Sequence, residues 1–267
     1  MKIFYFGEDH LTPNLALQIA NNKITCEIGK RAKVNIQESR KNTLDIAHSE
    51  RTVYGINTGF GPLCDTRISK EQIKLLQENI LKSHSVGVGP IVPDLIAKLM
   101  LITKVHALSM GYSGISLEVL ERIVFFIHHE IIPEVPSQGS VGASGDLAPL
   151  AHLFLPIIGL GKVKINGEIM SAAKMHTLHD LAPLPLGAKE GLALINGTQF
   201  ILSYAVLGLS RFYNCLEAAD IVGAMSLEGL LGSISPFTKK LHELRPFEGS
   251  QLVAARMNTL LSGSEMV

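Results

Sequence analysis

The segment Gly139-Ser140-Val141-Gly142-Ala143-Ser144-Gly145-Asp146 offers chemistry beyond that of ordinary packed side chains. Gly139, Gly142 and Gly145 break seven residues into a loop, and Asp146 stands where it can cap a helix beginning near Leu147. By spacing alone this is a glycine-rich loop entering a helix, a place whose amide donors can hold a small anion. The familiar nucleotide and nucleophile patterns are missing. No Lys-Ser/Thr follows, as in a phosphate-binding loop, and Gly-x-Gly-x-x-Gly is absent. Gly145 directly after Ser144 also breaks the Gly-x-Ser-x-Gly nucleophile elbow.

Three other segments carry groups able to act on a small molecule. Tyr54 lies in Arg51-Thr52-Val53-Tyr54-Gly55-Ile56-Asn57-Thr58-Gly59-Phe60-Gly61-Pro62. His84 follows Ser83 on a helical apolar face. Asn196 lies in Lys189-Glu190-Gly191-Leu192-Ala193-Leu194-Ile195-Asn196-Gly197-Thr198-Gln199. Each also has a plain structural explanation. A lone tyrosine anchors a loop to the core, a histidine on an apolar face is a satisfied core residue, and Asn-Gly is a turn before a helix.

Taken together and in this order, the four blocks resemble the histidine and aromatic amino-acid ammonia-lyases. Gly139 to His152 is similar to that family's signature, and Leu244-Arg245-Pro246-Phe247 and Ser262-Gly263-Ser264-Glu265 carry the likeness to the end of the chain. The resemblance implies that Ala143, Ser144 and Gly145 cyclise into a 4-methylidene-imidazol-5-one, a built-in electrophile that needs no metal. The residue types have physical reasons. The Gly145 nitrogen must attack the Ala143 carbonyl, so neither residue can be bulky, and glycine tolerates the strained approach. Ser144 loses its hydroxyl as water to leave an exocyclic methylene. The resemblance further implies that Asp146 assists cyclisation, that Tyr54 is the base removing a β-proton, that His84 selects the substrate ring and that Asn196 contacts the electrophile and the substrate.

The implied reaction is non-oxidative elimination of ammonia from L-histidine to give trans-urocanate, in histidine catabolism. L-Tyrosine is the second substrate to consider, because Ser83-His84-Ser85 is also similar to tyrosine-active relatives, and an aminomutase using the same ring is a third reading. A non-catalytic anion-binding module built on the glycine-rich loop is the alternative of a different class. Family members are about twice this length and assemble their sites from three chains of a homotetramer, so the resemblance implies a single N-terminal portion, residues 1–267, without the second half of its site. An inactive truncated chain is the expectation that follows.

Composition agrees with a small-molecule protein. Lys+Arg and Asp+Glu are equal at 24 each, which leaves no electrostatic footprint for nucleic acid or an anionic membrane. The 267 residues are 46% hydrophobic, with positive mean hydropathy, enough for a large core. Cys26, Cys64 and Cys215 are sparse, odd in number and without metal spacing, the usage of a reducing compartment. The apolar N-terminal run is too short for a signal peptide, and no apolar stretch reaches membrane-spanning length. The expectation is a cytoplasmic chain with no membrane or nucleic-acid partner.

The elements that must position these residues are mainly α, with a small β-hairpin and minor N-terminal strands, in one cooperative unit. A short helix is predicted after Thr12-Pro13, and another over 31–50 with Val34, Ile36, Leu44 and Ile46 set in a polar surround. Ser69-Lys70-Glu71-Gln72 reads as a capping box opening a helix whose face is Ile73, Leu76, Ile80 and His84, ended by Gly87-Val88-Gly89-Pro90. Pro93 to Met110 and Ser116 to His129 are further helices, the first stopped by Gly111 and the second by Pro133. Alternating residues around Asn166-Gly167, over 162–170, predict the hairpin. Residues 197–231 and 239–261 are helical in composition.

Overall fold

The computed structural model describes residues 3–60, 67–141 and 145–267. They form two compact units, Met1–Leu207 and Gly208–Val267. The sequence shows no linker between them, because the division falls inside one helix.

The first unit opens with β1 (Ile3–Phe6), α1 (Pro13–Ala20) and β2 (Thr25–Ile28). The two strands pair in parallel, with Phe4 opposite Cys26 and Phe6 opposite Ile28. Thr12 caps α1, its side chain accepting from the Leu15 amide at 3.2 Å. α2 (Lys30–His48) buries Ala32, Ile36, Thr43 and Ala47, whereas Val34 is exposed. The apolar stripe is therefore narrower than the sequence predicts and uses small residues.

α3 (Lys70–His84) begins after Ser69, but Ser69 makes no side-chain capping bond, so the capping box is not formed. Ile73 and Ile80 are buried and Leu76 is half-buried, the predicted face. After α3 the chain forms a strand that the sequence reading did not include. β3 (Val88–Ile91) pairs antiparallel with β5 (Pro136–Gln138).

α4 (Asp94–Ser109) buries eleven of its sixteen residues. α5 (Leu117–His128) is capped by Ser116, which accepts from the Val119 amide. β4 (Ile132–Pro133) joins the predicted hairpin, β6 (Lys162–Ile165) and β7 (Glu168–Ser171), in a three-stranded sheet of order β4-β6-β7. Asn166 and Gly167 both take positive φ, +50° and +83°, the turn that an Asn-Gly hairpin requires.

α6 (Leu147–Phe154), α7 (Ala172–Leu178) and α8 (Glu190–Ile195) complete this unit with the start of α9 (Gln199–Gly229). Its core is continuous from Phe4 and Phe6 through Leu99, Phe126 and Phe154 to Leu194.

The second unit holds the rest of α9, α10 (Lys239–Glu243) and α11 (Glu248–Leu260). Its small core gathers Ala224, Met257 and Leu261, with Arg256 paired to Asp220 at 3.0 Å. Phe212, Tyr213, Val222 and Met225 on α9 are exposed. Among the described residues, no helix is long and apolar enough to cross a membrane.

Candidate active site

Ala143 and Ser144 lie outside the described residues, so the site is built from what holds their neighbours. Gly145 is buried and forms a parallel bridge with Gly197. The next amide, that of Asp146, donates to the Gly197 carbonyl at 3.0 Å. The end of the glycine-rich loop is thereby laced to the Asn196-Gly197 turn. A side chain on Gly145 has no room, since a Cβ there would stand 2.8 Å from Leu147 Cγ.

Asp146 occupies the backbone N-cap position of α6, and its carbonyl accepts from Leu150 at 2.9 Å. Its side chain does not cap that helix, which corrects the sequence reading. A capping carboxylate accepts from the second or third helical amide, and the third residue here is Pro149, which has no N–H. The carboxylate turns instead to α9. Oδ2 accepts from the Phe200 and Ile201 amides at 3.0 and 3.1 Å, and Oδ1 accepts from Ser140 Oγ at 2.6 Å. Two helix N-termini thus meet at one fully buried carboxylate, a favourable place for negative charge.

Asn196 ends α8. Its side chain is exposed and makes no hydrogen bond among the described residues. Its carbonyl accepts from Lys104 Nζ at 2.7 Å. Lys104, on α4, is 1% exposed, and burial pushes its pKa down to about 7 while the Asp146 carboxylate pulls it back up. The sequence reading did not single out Lys104. The available signal was one cation inside the apolar run Leu99-Met100-Leu101-Ile102-Thr103-Lys104-Val105.

α8 is itself fastened at its start. Glu190 is 2% exposed and accepts from the Ser116 amide at 2.9 Å and the Gly187 amide at 2.6 Å. Arg40 lies 3.5 Å from Glu190 and donates to the Gly114 and Ala188 carbonyls. On the side facing α3, Gln77 accepts from the Leu192 amide at 3.2 Å.

Tyr54 lies in a turn closed by Asn57, whose side chain accepts from the Val53 amide and donates to the Arg51 carbonyl. Gly55 has φ +73°, and a Cβ there would collide with Leu192 Cδ2. The turn therefore sits directly on α8. Tyr54 is exposed and meets Phe60 edge-on, with ring centroids 6.1 Å apart.

His84 is half-buried at the end of α3. Its Nδ1 lies 2.8 Å from the Ile80 carbonyl and 3.1 Å from Ser83 Oγ. A carbonyl only accepts, so Nδ1 is assigned the proton and Nε2 is left as an acceptor. Three residues on, the Gly87 amide donates to His152 Nε2 at 3.0 Å. Burial lowers the His152 pKa, which suits the neutral, accepting ring. The segment after His84 is thus tied to α6. Among the described residues, Tyr54, His84, Asp146 and Asn196 share no direct side-chain bond; α3, α6 and α8 join them.

Residues 11–267 match the model of the aromatic amino acid lyases, nearly the whole chain. The chain belongs to that family. A histidine ammonia-lyase of Streptococcus sanguinis is 39% identical over 96% of this chain, and one of Myxococcus xanthus is 42% identical over 94%. Among solved structures, histidine ammonia-lyase from Trypanosoma cruzi superposes with a TM-score of 0.90 at 36% identity, covering 97% of this chain and 51% of that one. Tyrosine aminomutase from Streptomyces globisporus superposes with a TM-score of 0.93 at 32% identity, covering 100% and 50%. The chain spans about half the length of the curated relatives it matches, 50% for Streptococcus sanguinis and 49% for Myxococcus xanthus. As a lyase-family chain, it is mainly α, as its sequence predicts.

Proposed function

We propose that this chain supplies the ring-forming and proton-removing residues of a histidine ammonia-lyase, which converts L-histidine to trans-urocanate and ammonia. The observation that carries this reading is the 39–42% identity, over 93–96% of the chain, to relatives named for that activity. The geometry around Gly145 suits a methylidene-imidazolone built from Ala143-Ser144-Gly145. The residue whose nitrogen closes the ring has no space for a side chain and is pinned on the side of Asp146 and Gly197.

That ring supplies an electrophile for the substrate amine, which ordinary side chains do not offer. The remaining work falls to the chain's own residues. The Tyr54 oxygen takes the β-proton from an exposed turn held against α8. Asn196 presents a free amide at the end of α8 to the amine and carboxylate region of the substrate. His84 Nε2 accepts from the substrate imidazole N–H, because Nδ1 is spent on Ile80. The N-termini of α6 and α9 converge at Gly145–Asp146 and favour negative charge developing there.

The active protein is a cytoplasmic homotetramer in this reading, and the exposed Phe212, Tyr213, Val222 and Met225 of α9 support burial against another surface. A second reading, a tyrosine-active lyase or aminomutase, is favoured by the likeness to the Streptomyces globisporus enzyme, since His84 Nε2 accepts equally from a phenol. The test is incubation of the purified full-length lyase, carrying both halves of the site, with L-histidine and, separately, L-tyrosine, following urocanate and coumarate by absorbance. Urocanate from histidine is expected. Faster coumarate formation from tyrosine would move the assignment to the second reading, and a β-amino acid with neither product would defeat the lyase reading.

A further inference from the structure

We propose that Lys104 is a positioning residue for ring closure: from the buried face of α4 it holds the Asn196 carbonyl and thereby fixes Gly145, whose nitrogen closes the ring. This inference rests on the ring-forming function proposed above and assigns it a residue outside all four sequence blocks.

Three observations lead to it. Lys104 is buried to 1% exposure in a helix whose other inward residues are almost all apolar. A lone cation there is a poor choice for stability, because hydrophobic packing serves better. Its Nζ donates to one backbone atom, Asn196 O, at 2.7 Å. That carbonyl directly precedes Gly197, which bridges to Gly145 and accepts from the Asp146 amide at 3.0 Å. Asp146 is also close enough for its carboxylate to favour the charged form of Lys104. Asp146 is in turn fixed by Ser140, Phe200 and Ile201. Lys104 therefore closes a loop of contacts around the ring-closing residue, running from α4 through the α8–α9 turn to α6.

Ring closure needs such a brace. The Gly145 nitrogen forms a bond to the Ala143 carbonyl carbon. The Ala143 oxygen leaves as water with the protons of the Gly145 and Ser144 nitrogens. Ser144 Oγ leaves as a second water with the Ser144 Cα proton. The product is lighter by two waters, and no oxidant is consumed. The first bond requires an amide nitrogen, a weak nucleophile, to be held against a neighbouring carbonyl. Orientation of that kind governs the rate of an intramolecular attack.

The test compares Lys104→Met, which keeps length but loses the donor, with Lys104→Arg, which keeps a charged donor. Intact mass over time after synthesis reads loss of the two waters, ring absorbance gives a second readout, and circular dichroism with a thermal melt gives the folded fraction. The Met variant is expected to fold and to cyclise about tenfold more slowly or worse, the scale of one hydrogen bond to a charged group. The Arg variant restores most of the rate. A folded Met variant that cyclises at the wild-type rate overturns the proposal. If the Met variant does not fold, the Arg variant decides: folded and cyclised supports the proposal, and folded but uncyclised overturns it. Failure of both to fold assigns Lys104 to folding alone and also overturns it. A wild-type protein that never loses the two waters would instead refute the function proposed above.

Discussion

Replacing Asp146 separates two accounts of what its carboxylate does. If it capped its own helix α6, serine would be an excellent substitute, because Ser and Asp are near-equal N-caps. The structure has it capping α9 from outside, through Phe200 and Ile201, while accepting from Ser140. A serine side chain is too short to make that crossing. Asp146→Ser should therefore cost nearly as much as Asp146→Ala. Two amide bonds to a charged acceptor contribute about 1.5 kcal/mol each at the low end, so the loss is about 3 kcal/mol. With a urea slope of about 3 kcal/mol/M, the upper end for small proteins, the midpoint falls by about 1 M. Asp146→Asn keeps one acceptor oxygen and should lose about half as much. The measurement is urea unfolding of the three variants followed by circular dichroism. A serine variant with a wild-type midpoint would refute the cross-helix cap and return Asp146 to α6.

The pKa of Lys104 makes stability depend on pH. The unfolded chain keeps this proton up to the ordinary lysine value of 10.5, whereas the native chain releases it near about 7. Between those values the unfolded state binds the extra proton, so stability rises with pH across that window, and below it the native state carries the full burial penalty. Urea midpoints measured from pH 7 to 10 should rise, and Lys104→Met should flatten that slope; an equal slope in both proteins would disprove the assignment. Breaking the buried Arg40–Glu190 pair with Arg40→Met leaves Glu190 uncompensated. That should cost about 3 kcal/mol or more in unfolding free energy, with less than additive loss in Arg40→Met/Glu190→Gln. Burial, and secondarily Glu27, pushes the Cys26 thiol up to about 12, so native protein at pH 8 should be alkylated at the exposed Cys215 but not at Cys26. Mass mapping of labelled peptides reads this, and prompt native labelling of Cys26 would contradict it.

Local signals carried much of the fold. Thr12 and Ser116 cap the helices they precede, and Asn166-Gly167 makes its hairpin, because each of these interactions is decided within a few residues. Strands β3, β4 and β5 were not legible. They are two to four residues long, contain proline or glycine, and exist only through partners distant in sequence. Ser69 failed as a capping side chain although its sequence pattern was right, so the pattern locates a helix start without guaranteeing the bond. The candidate site was legible as motifs, but the braces behind it were not. Pro149 in Asp-Leu-Ala-Pro is the sequence signal that Asp146 has only one amide of its own helix to cap.

The braces share one physical logic. Loops that carry reactive groups bring backbone amides and carbonyls into the interior, where each needs a partner. In this chain those partners are side chains supplied from elsewhere. Lys104 takes the Asn196 carbonyl, His152 takes the Gly87 amide, Glu190 takes the Gly187 and Ser116 amides, and Asp146 takes two amides of α9. Lys104 sits on the buried face of α4, where helix periodicity alone calls for an apolar residue, whereas Asp146 and Glu190 stand at helix starts. A buried ionisable side chain bonded to a loop backbone therefore points to a loop whose position matters. Lys104 meets that description most fully, because its bond ends one residue from the glycine bridged to Gly145.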